Sequence, residues 1–201
     1  MGDTSFWYAE HDTFTTSPYT ITAASDGFVF SGIKNYQGGD LLKLNFGFKI
    51  RYELQADRVP PSPIGKWRSS PHVNISGSLI GSSQDSPGWG DDWCKCWMNR
   101  RQTAYQLVFA PPGADPRRKI DERVESQNIF FSEDAPFTSE WHGPGFQPMP
   151  ELILAHPLPA QSIWVELELR FDIQLEGYAN LWIRPEQRFV VSADQWPALP
   201  L

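Results

Sequence analysis

The stretch 162–175, SIWVELELRFDIQL, alternates between hydrophobic and polar residues over almost its whole length. Every odd position from Ile163 to Leu175 is hydrophobic, and every even position from Glu166 to Gln174 is polar. Successive side chains of an extended strand point to opposite faces, so this pattern predicts a half-buried β-strand. A helix would spread the same hydrophobic positions around its whole circumference. Because a strand this long needs an equally long hydrophobic cover, we expect two packed layers.

The stretch 42–54, LKLNFGFKIRYEL, shows the same alternation, with its hydrophobic residues at even positions. Its polar face carries Lys43, Lys49 and Arg51, whereas the polar face of 162–175 carries mainly carboxylates. Opposite charges stabilise neighbouring antiparallel strands, and two strands of equal length leave few backbone groups unpaired. We therefore predict that these strands are antiparallel neighbours. The alternative is that they lie in opposite layers, with their hydrophobic faces meeting.

Shorter segments complete the predicted sheet, at 19–24, 27–31, 72–80, 124–131 and 151–155, with a hairpin of 177–183 and 188–192 over Pro185. Residues 56–71 and 132–150 are rich in proline or glycine and predict an irregular crossover and a long loop. Residues 91–110 allow either a helix that stacks Trp89, Trp93 and Trp97 or a strand. We favour the strand from Cys94 onward, because 105–109 is rich in β-forming residues.

These elements predict an all-β fold, either an antiparallel two-layer β-sandwich, jelly-roll-like, or a flattened β-barrel with long loops. A length of 201 residues suits one such domain, spanning 1–201. Lys and Arg number 17 against 24 Asp and Glu, and this acidic balance argues against nucleic acid as a partner. No hydrophobic run approaches the 18 or so residues of a membrane helix. The N-terminus lacks a secretory signal pattern, so we expect a cytoplasmic protein, or a secreted one whose leader is absent from this sequence.

Cys94 and Cys96 are the only two cysteines. Positions i and i+2 of a strand hold their Cα atoms about 6.5 to 7 Å apart, at the limit for a disulfide. With no second pair of cysteines to complete a metal site, we expect two reduced structural thiols and no cofactor.

Nine tryptophans are an unusual number for a chain of this size. Trp89, Trp93 and Trp141 lie in or beside segments rich in glycine and proline, and with Trp97 they are our candidate ligand-binding residues. Exposed aromatic rings stack well on sugar faces and other flat apolar groups. The alternative interpretation is that these side chains fill the ends of a long sandwich.

Signals for catalysis or metal binding are weak. His142 with Glu140 is the best acid and base candidate, because a carboxylate can orient an imidazole, although most such pairs are solvated surface groups. The acidic residues Asp85, Asp91 and Asp92 are a weak candidate calcium site beside a glycine-rich loop, and a solvated loop is the simpler interpretation. No nucleotide-binding or serine hydrolase motif occurs.

Three functions fit this sequence, and the first is favoured. It is a non-enzymatic, lectin-like module that binds a carbohydrate or a similar amphipathic small molecule on loop tryptophans. The second is a small lipocalin-like isomerase or cyclase with a tryptophan-lined cavity, since catalysis by positioning leaves few motifs. The third is a structural or assembly subunit of a larger particle. Association into a homo-oligomer is compatible with this sequence. The direction of the tryptophan rings separates the three: an outer surface favours the lectin, a roofed cavity the enzyme, and a subunit interface the assembly role.

Overall fold

The protein is all-β and antiparallel, as the alternating pattern predicts. A computed structural model describes residues 6–16, 18–24, 27–54, 61–85, 92–108, 110–132, 136–155, 163–183, 189–195 and 198–201. The strands in these ranges are β1 (Phe6–Thr15), β2 (Thr20–Ala24), β3 (Gly27–Leu54), β4 (Lys66–Ser69), β5 (His72–Ser76), β6 (Ser78–Gln84), β7 (Trp93–Leu107), β8 (Arg117–Ser132), β9 (Phe137–His142), β10 (Gly145–Pro148), β11 (Leu152–Ala155), β12 (Ile163–Ile183), β13 (Phe189–Gln195) and β14 (Ala198–Pro200). No helix capable of crossing a membrane occurs in the described ranges.

The two long alternating stretches lie side by side at the centre of the larger sheet. Over 42–54 of β3 and 163–175 of β12 the register is regular, with Leu169 opposite Phe48 and Leu167 opposite Ile50. The predicted antiparallel pairing is therefore confirmed, and the placement in opposite layers is wrong. β7 pairs with the other side of β12 and β8 with β7, while β1 pairs with the other side of β3. This half of the sheet has the order β1-β3-β12-β7-β8.

Both long strands continue into a second half of the same sheet, beyond a register shift between Leu175 and Gly177. There β3 pairs with β2 and β13, β12 pairs with β6, and β6 pairs with β9. Aromatic rings of the two halves meet in the core: Phe28 stacks on Phe48 with ring centroids 4.5 Å apart, and Phe30 packs against Phe46 at 5.1 Å. The sheet therefore curls into a half-barrel around its hydrophobic face, consistent with a sandwich or flattened barrel.

A second, three-stranded sheet of order β11-β4-β14 closes part of this core. It contributes the buried side chains of Trp67, Leu152 and Leu154 to the hydrophobic cluster that also contains β3 and β12 residues. The Gln102 side chain of β7 donates a hydrogen bond to the Ser69 hydroxyl of β4. The two sheets thus share one core and a buried polar link.

Several predicted element boundaries differ from the structure. Residues 93–107 form a strand, so the helix alternative for 91–110 is wrong. The predicted hairpin over Pro185 is also wrong, because β12 runs unbroken from Ile163 to Ile183 and β13 pairs with β3 and β5 instead. The predicted loop 132–150 contains β9 and β10, and the predicted crossover 56–71 contains β4. These strands are only four to six residues long and are bordered by Gly and Pro, so their alternation is hard to recognise.

Cys94 and Cys96 are free thiols in the core, as predicted. They point inward from β7, and the Cys94 thiol donates a hydrogen bond to the Asn180 carbonyl at 3.4 Å. Burial raises the pKa of Cys94 to about 12, and burial also raises the pKa of Cys96. Both side chains are therefore neutral thiols at physiological pH, and neutral thiols are poor nucleophiles.

We expect neither thiol to react with Ellman's reagent at pH 8 in the folded protein, and both to react after unfolding in guanidinium chloride. Because the folded pKa of Cys94 exceeds the ordinary value of 9.0, folding stability should be retained below pH 9 and should fall as the pH rises from 9 towards 12. Absorbance at 412 nm with and without denaturant measures the labelling. Rapid labelling of the folded protein would show that β7 opens readily.

Candidate functional site

The polar sides of β3, β12, β7 and β8 form one surface, which we call the outer face. Alternation along each strand places it: Cys96 and Met98 of β7 are buried in the core, so Trp97 between them points the opposite way. The strand register then aligns Trp97 with Asp172 of β12, and Asp172 with Asn45 of β3. Side chains far apart in sequence therefore form rows across the strands.

An open groove of about 440 Å³ crosses these four strands. Polar side chains dominate its lining, and Trp97 is the only aromatic residue among the described residues that line it. The lining residues are Lys43, Leu44, Asn45, Trp97, Asn99, Ser126, Arg170, Asp172, Ile173 and Gln174. The volume lies within the range of about 300 to 1,000 Å³ that is usual for small-molecule sites.

Asp172 is at the centre of the groove's hydrogen bonding. One of its carboxylate oxygens, Oδ1, accepts from Arg170 Nε at 2.7 Å, and the other, Oδ2, accepts from Asn99 Nδ2 at 2.7 Å. The two donors hold the carboxylate in one orientation, which preorganises the remaining lone pairs and N–H groups for a ligand. By contrast, the side chains of Lys43 and Gln174 make no hydrogen bond to any other described residue, so they are available to bind.

Trp93 shares the outer face with Trp97 but lies outside the groove. The Lys95 ammonium sits 3.7 Å from the centroid of the Trp93 ring and 4.6 Å from that of Phe131. A cation over a ring is stabilised by the ring's negative face, so Lys95 covers one face of Trp93. Within the described part of the chain, the indole N–H of Trp93 is buried without a hydrogen-bond partner. Trp97 is therefore the better placed of the two for a ligand.

The structure does not bring Trp141 to the outer face. Trp141 belongs to β9, opposite Leu79 of β6, and its ring packs edge-on against the core residue Phe171 with centroids 6.3 Å apart. Trp89, the remaining candidate, lies outside the described residues. The arrangement therefore does not support one ligand-binding surface that contains Trp141 together with Trp93 and Trp97.

The candidate catalytic pair is on the surface. His142 Nδ1 lies 3.9 Å from Glu140 Oε1, too far for a hydrogen bond, and the His142 side chain is 71% exposed. The acid and base role of this pair therefore remains a prediction. Neither the distance between the two side chains nor the exposure of His142 supports it.

Two of the acidic residues predicted as a weak calcium site, Asp85 and Asp92, differ in their exposure to solvent. Asp85 is exposed, whereas Asp92 is buried and its Oδ1 accepts a hydrogen bond from the Tyr178 amide at 2.8 Å. Asp91 lies outside the described residues. In the ranges that the structure describes, no three His, Cys, Asp or Glu side chains gather to hold a metal ion. Asp92 is engaged by the backbone of β12.

Sequence reasoning missed the polar residues of the groove, namely Lys43, Asn45, Asn99, Ser126, Arg170, Asp172 and Gln174. Alternation placed Arg170 and Gln174 on a polar face, and that was the available signal. Nothing local distinguishes them from Glu166 or Glu168 on the same strand. Only the pairing of β12 with β3 and β7 shows which of these positions surround Trp97.

Comparison with known proteins adds little to this geometry. No known protein family and no curated protein matches the sequence. Among solved structures, the chain is similar to TmCBM61 in complex with β-1,4-galactotriose, at 11% sequence identity and a TM-score of 0.18, with 87% of this chain and 88% of that chain covered. A TM-score this low carries no argument about this chain.

Proposed function

We propose that this protein is a non-enzymatic carbohydrate-binding module whose ligand lies in the outer-face groove. The observation that carries the proposal is that Trp97 lies beside Asp172, Asn99 and Gln174 in an open groove across four strands. An aromatic ring can stack on the apolar face of a pyranose, while amide and carboxylate groups bond its hydroxyls. Of the four tryptophans predicted to bind a ligand, the proposal assigns this role to Trp97.

The direction of Trp97 supports binding over the alternative of a roofed enzyme cavity. Its side chain lies on an open outer surface, which is the direction expected of a lectin. Glycoside hydrolysis commonly needs two carboxylates that flank the scissile bond. Among the described residues that line the groove, Asp172 is the only carboxylate, and it is held by Arg170 and Asn99. This composition supports recognition of sugar hydroxyls and not bond cleavage.

Replacing Trp97 with alanine should weaken binding at least tenfold, or about 1.4 kcal/mol, because stacking on the ring is lost. Affinity electrophoresis against soluble β-glucan, galactan, mannan, xylan and pectin would identify the best probe, and calorimetry with its oligosaccharide would give the Kd. Gln174→Ala should weaken binding too, through a lost hydrogen bond, with little effect on the fold.

The matched control is Trp164→Ala, since Trp164 is on the same face of the sheet, opposite Glu53 and Tyr105, but outside the groove. Its binding should equal that of the unmodified protein. Circular dichroism melts would check that each variant is folded. If no polysaccharide of the panel is retained, or if Trp97→Ala and Trp164→Ala bind equally, the proposal fails.

A further inference from the structure

The free edge of β8 is a long, exposed strand edge. β8 pairs with β7, and no other described strand pairs with it. It carries the exposed hydrophobic residues Ile120, Val124 and Phe131, and Val124 is 51% exposed. An unpaired edge presents a row of backbone N–H and C=O groups that can accept another strand.

The part of β8 best suited to pairing lies between two irregularities. Register shifts occur in its pairing with β7 between Cys96 and Trp97 and between Ala104 and Tyr105. Residues 121–128 of β8 between them pair regularly with 97–104 of β7. A regular stretch can add a straight neighbour, whereas a bulge twists an edge away from one. Val124 lies near the middle of this stretch.

The charges of this stretch are complementary to themselves in one register. If two antiparallel copies are related by a two-fold axis at Val124, then Val124 meets Val124, and Arg123 meets Glu125 twice. The next positions set Glu122 against Ser126 and Asp121 against Gln127, so no like charges face each other. Moving the axis by one residue sets Arg123 against Arg123 or Glu125 against Glu125, which is unfavourable.

The side chains of both charged partners are more than half exposed at the edge. Arg123 and Glu125 have side chains that are 63% and 54% exposed. Among the described residues, the carboxylate paired with Arg123 is that of Asp121, 3.9 Å away, while Glu125 is 3.0 Å from Arg100. Charged edges usually keep strands apart, but within 121–128 the axis at Val124 sets Arg123 against Glu125, so that a second copy is attracted there.

We propose that β8 is a self-association edge, at which a second copy of this chain adds its own β8 antiparallel about a two-fold axis at Val124. The two larger sheets then form one continuous sheet. Both outer faces point the same way, because the axis is perpendicular to the sheet. With strands about 4.8 Å apart, the two copies of β12 are about 24 Å apart across the interface.

The arrangement has a consequence for the groove, which rests on the proposed function. Ser126 of β8 lines the groove and would face Glu122 of the second copy. Two grooves on one side of a continuous sheet can hold a single polymer chain, and binding at two linked sites raises overall affinity without new contacts. The association itself does not depend on glycan binding.

Sedimentation equilibrium over a concentration series tests the association. A single strand pair is a small interface, so we expect a weak monomer–dimer equilibrium that approaches twice the chain mass of 22.9 kDa at high concentration. R123E and E125R should each raise the dimer dissociation constant at least tenfold, because each sets like charges opposite each other. An equimolar mixture of the two variants should restore dimers, since every facing pair is then of opposite charge.

The matched control is R118E, which makes the same charge change on β8 outside the regular stretch and should leave dimerisation unchanged. Thermal melts would show that the variants are folded, a check that matters most for E125R because Glu125 also contacts Arg100. A protein that stays monomeric at all concentrations, a dimer indifferent to R123E, or a mixture that does not restore dimers would each overturn the proposal. Glycan binding by monomeric protein would leave the proposed function intact.

Discussion

Replacing Phe46 with alanine should lower the free energy of unfolding by about 3 to 5 kcal/mol, the usual range for a buried phenylalanine. Phe46 is fully buried where the two halves of the curled sheet meet. Its ring centroid lies 4.9 Å from that of Phe171, 5.1 Å from Phe30 and 5.4 Å from Tyr19. Deleting it leaves a cavity among rigid rings on different strands, which cannot collapse together without moving the backbone.

Denaturant titration followed by tryptophan fluorescence measures this loss. Phe146→Ala is the matched control, because Phe146 is exposed on β10 and its one ring contact among the described residues is with His72, at a centroid distance of 4.1 Å. We expect it to cost less than about 1 kcal/mol. Leu169 and Phe48 are also fully buried, so alanine at either should cost about 2 to 5 kcal/mol. A larger loss for Phe146 than for Phe46 would mean that the inner and outer faces are reversed.

Replacing Arg51 with methionine should cost about 3 kcal/mol, because it leaves a buried carboxylate with a weaker partner. Arg51 Nε lies 2.5 Å from Glu166 Oε2, and the two side chains are 13% and 4% exposed. Lys49 then remains as a cation for Glu166, at 3.5 Å, but it also pairs with Glu168 at 3.1 Å, which Arg101 contacts at 3.6 Å. Removing one member of a buried ion pair is costly, since the other keeps its desolvation penalty.

Urea titration at low and high salt tests how much the ion pairs among Lys49, Arg51, Glu166 and Glu168 stabilise the protein. The loss should persist in 1 M NaCl, because buried pairs are screened far less than exposed ones. Arg118→Met is the matched control, as Arg118 is exposed, and it should change stability by less than about 0.5 kcal/mol. Equal effects of the two substitutions, or loss of the Arg51→Met effect in salt, would show that Glu166 is solvated.

The polar face of β12 was expected to be exposed to solvent, but Glu166 and Glu168 on this face are buried. From its sequence, Glu168 is on a wet face, and its replacement by alanine should cost within about 0.5 kcal/mol. In the structure Glu168 is buried between Lys49 of β3 and Arg101 of β7. A central strand has long side chains on both sides, which exclude water from its own polar positions. The cost should therefore exceed the surface value.

The tryptophans also show that local sequence patterns do not predict which side chains pack together. Trp97 was correctly placed in a strand, since the segment from Cys94 onward was predicted to be one. Trp141 was placed in a loop, because Gly143 and Pro144 follow directly and the alternating segment is only six residues long. Its packing on Phe171 comes from the pairing of β9 with β6, which no local feature of 137–142 encodes.

The sequence by itself determined the all-β class, the long strands β3 and β12 and the side chains of each that face the core. That much follows locally, since successive side chains of any strand point to opposite faces. The charges of both polar faces were enough to predict their pairing. Tertiary structure alone decided that Glu166 and Glu168 are buried and that Asn99 and Asp172, 73 residues apart, meet beside Trp97. These outcomes depend on which strands flank β12, and long-range pairing is selected by the whole core and not by any single segment.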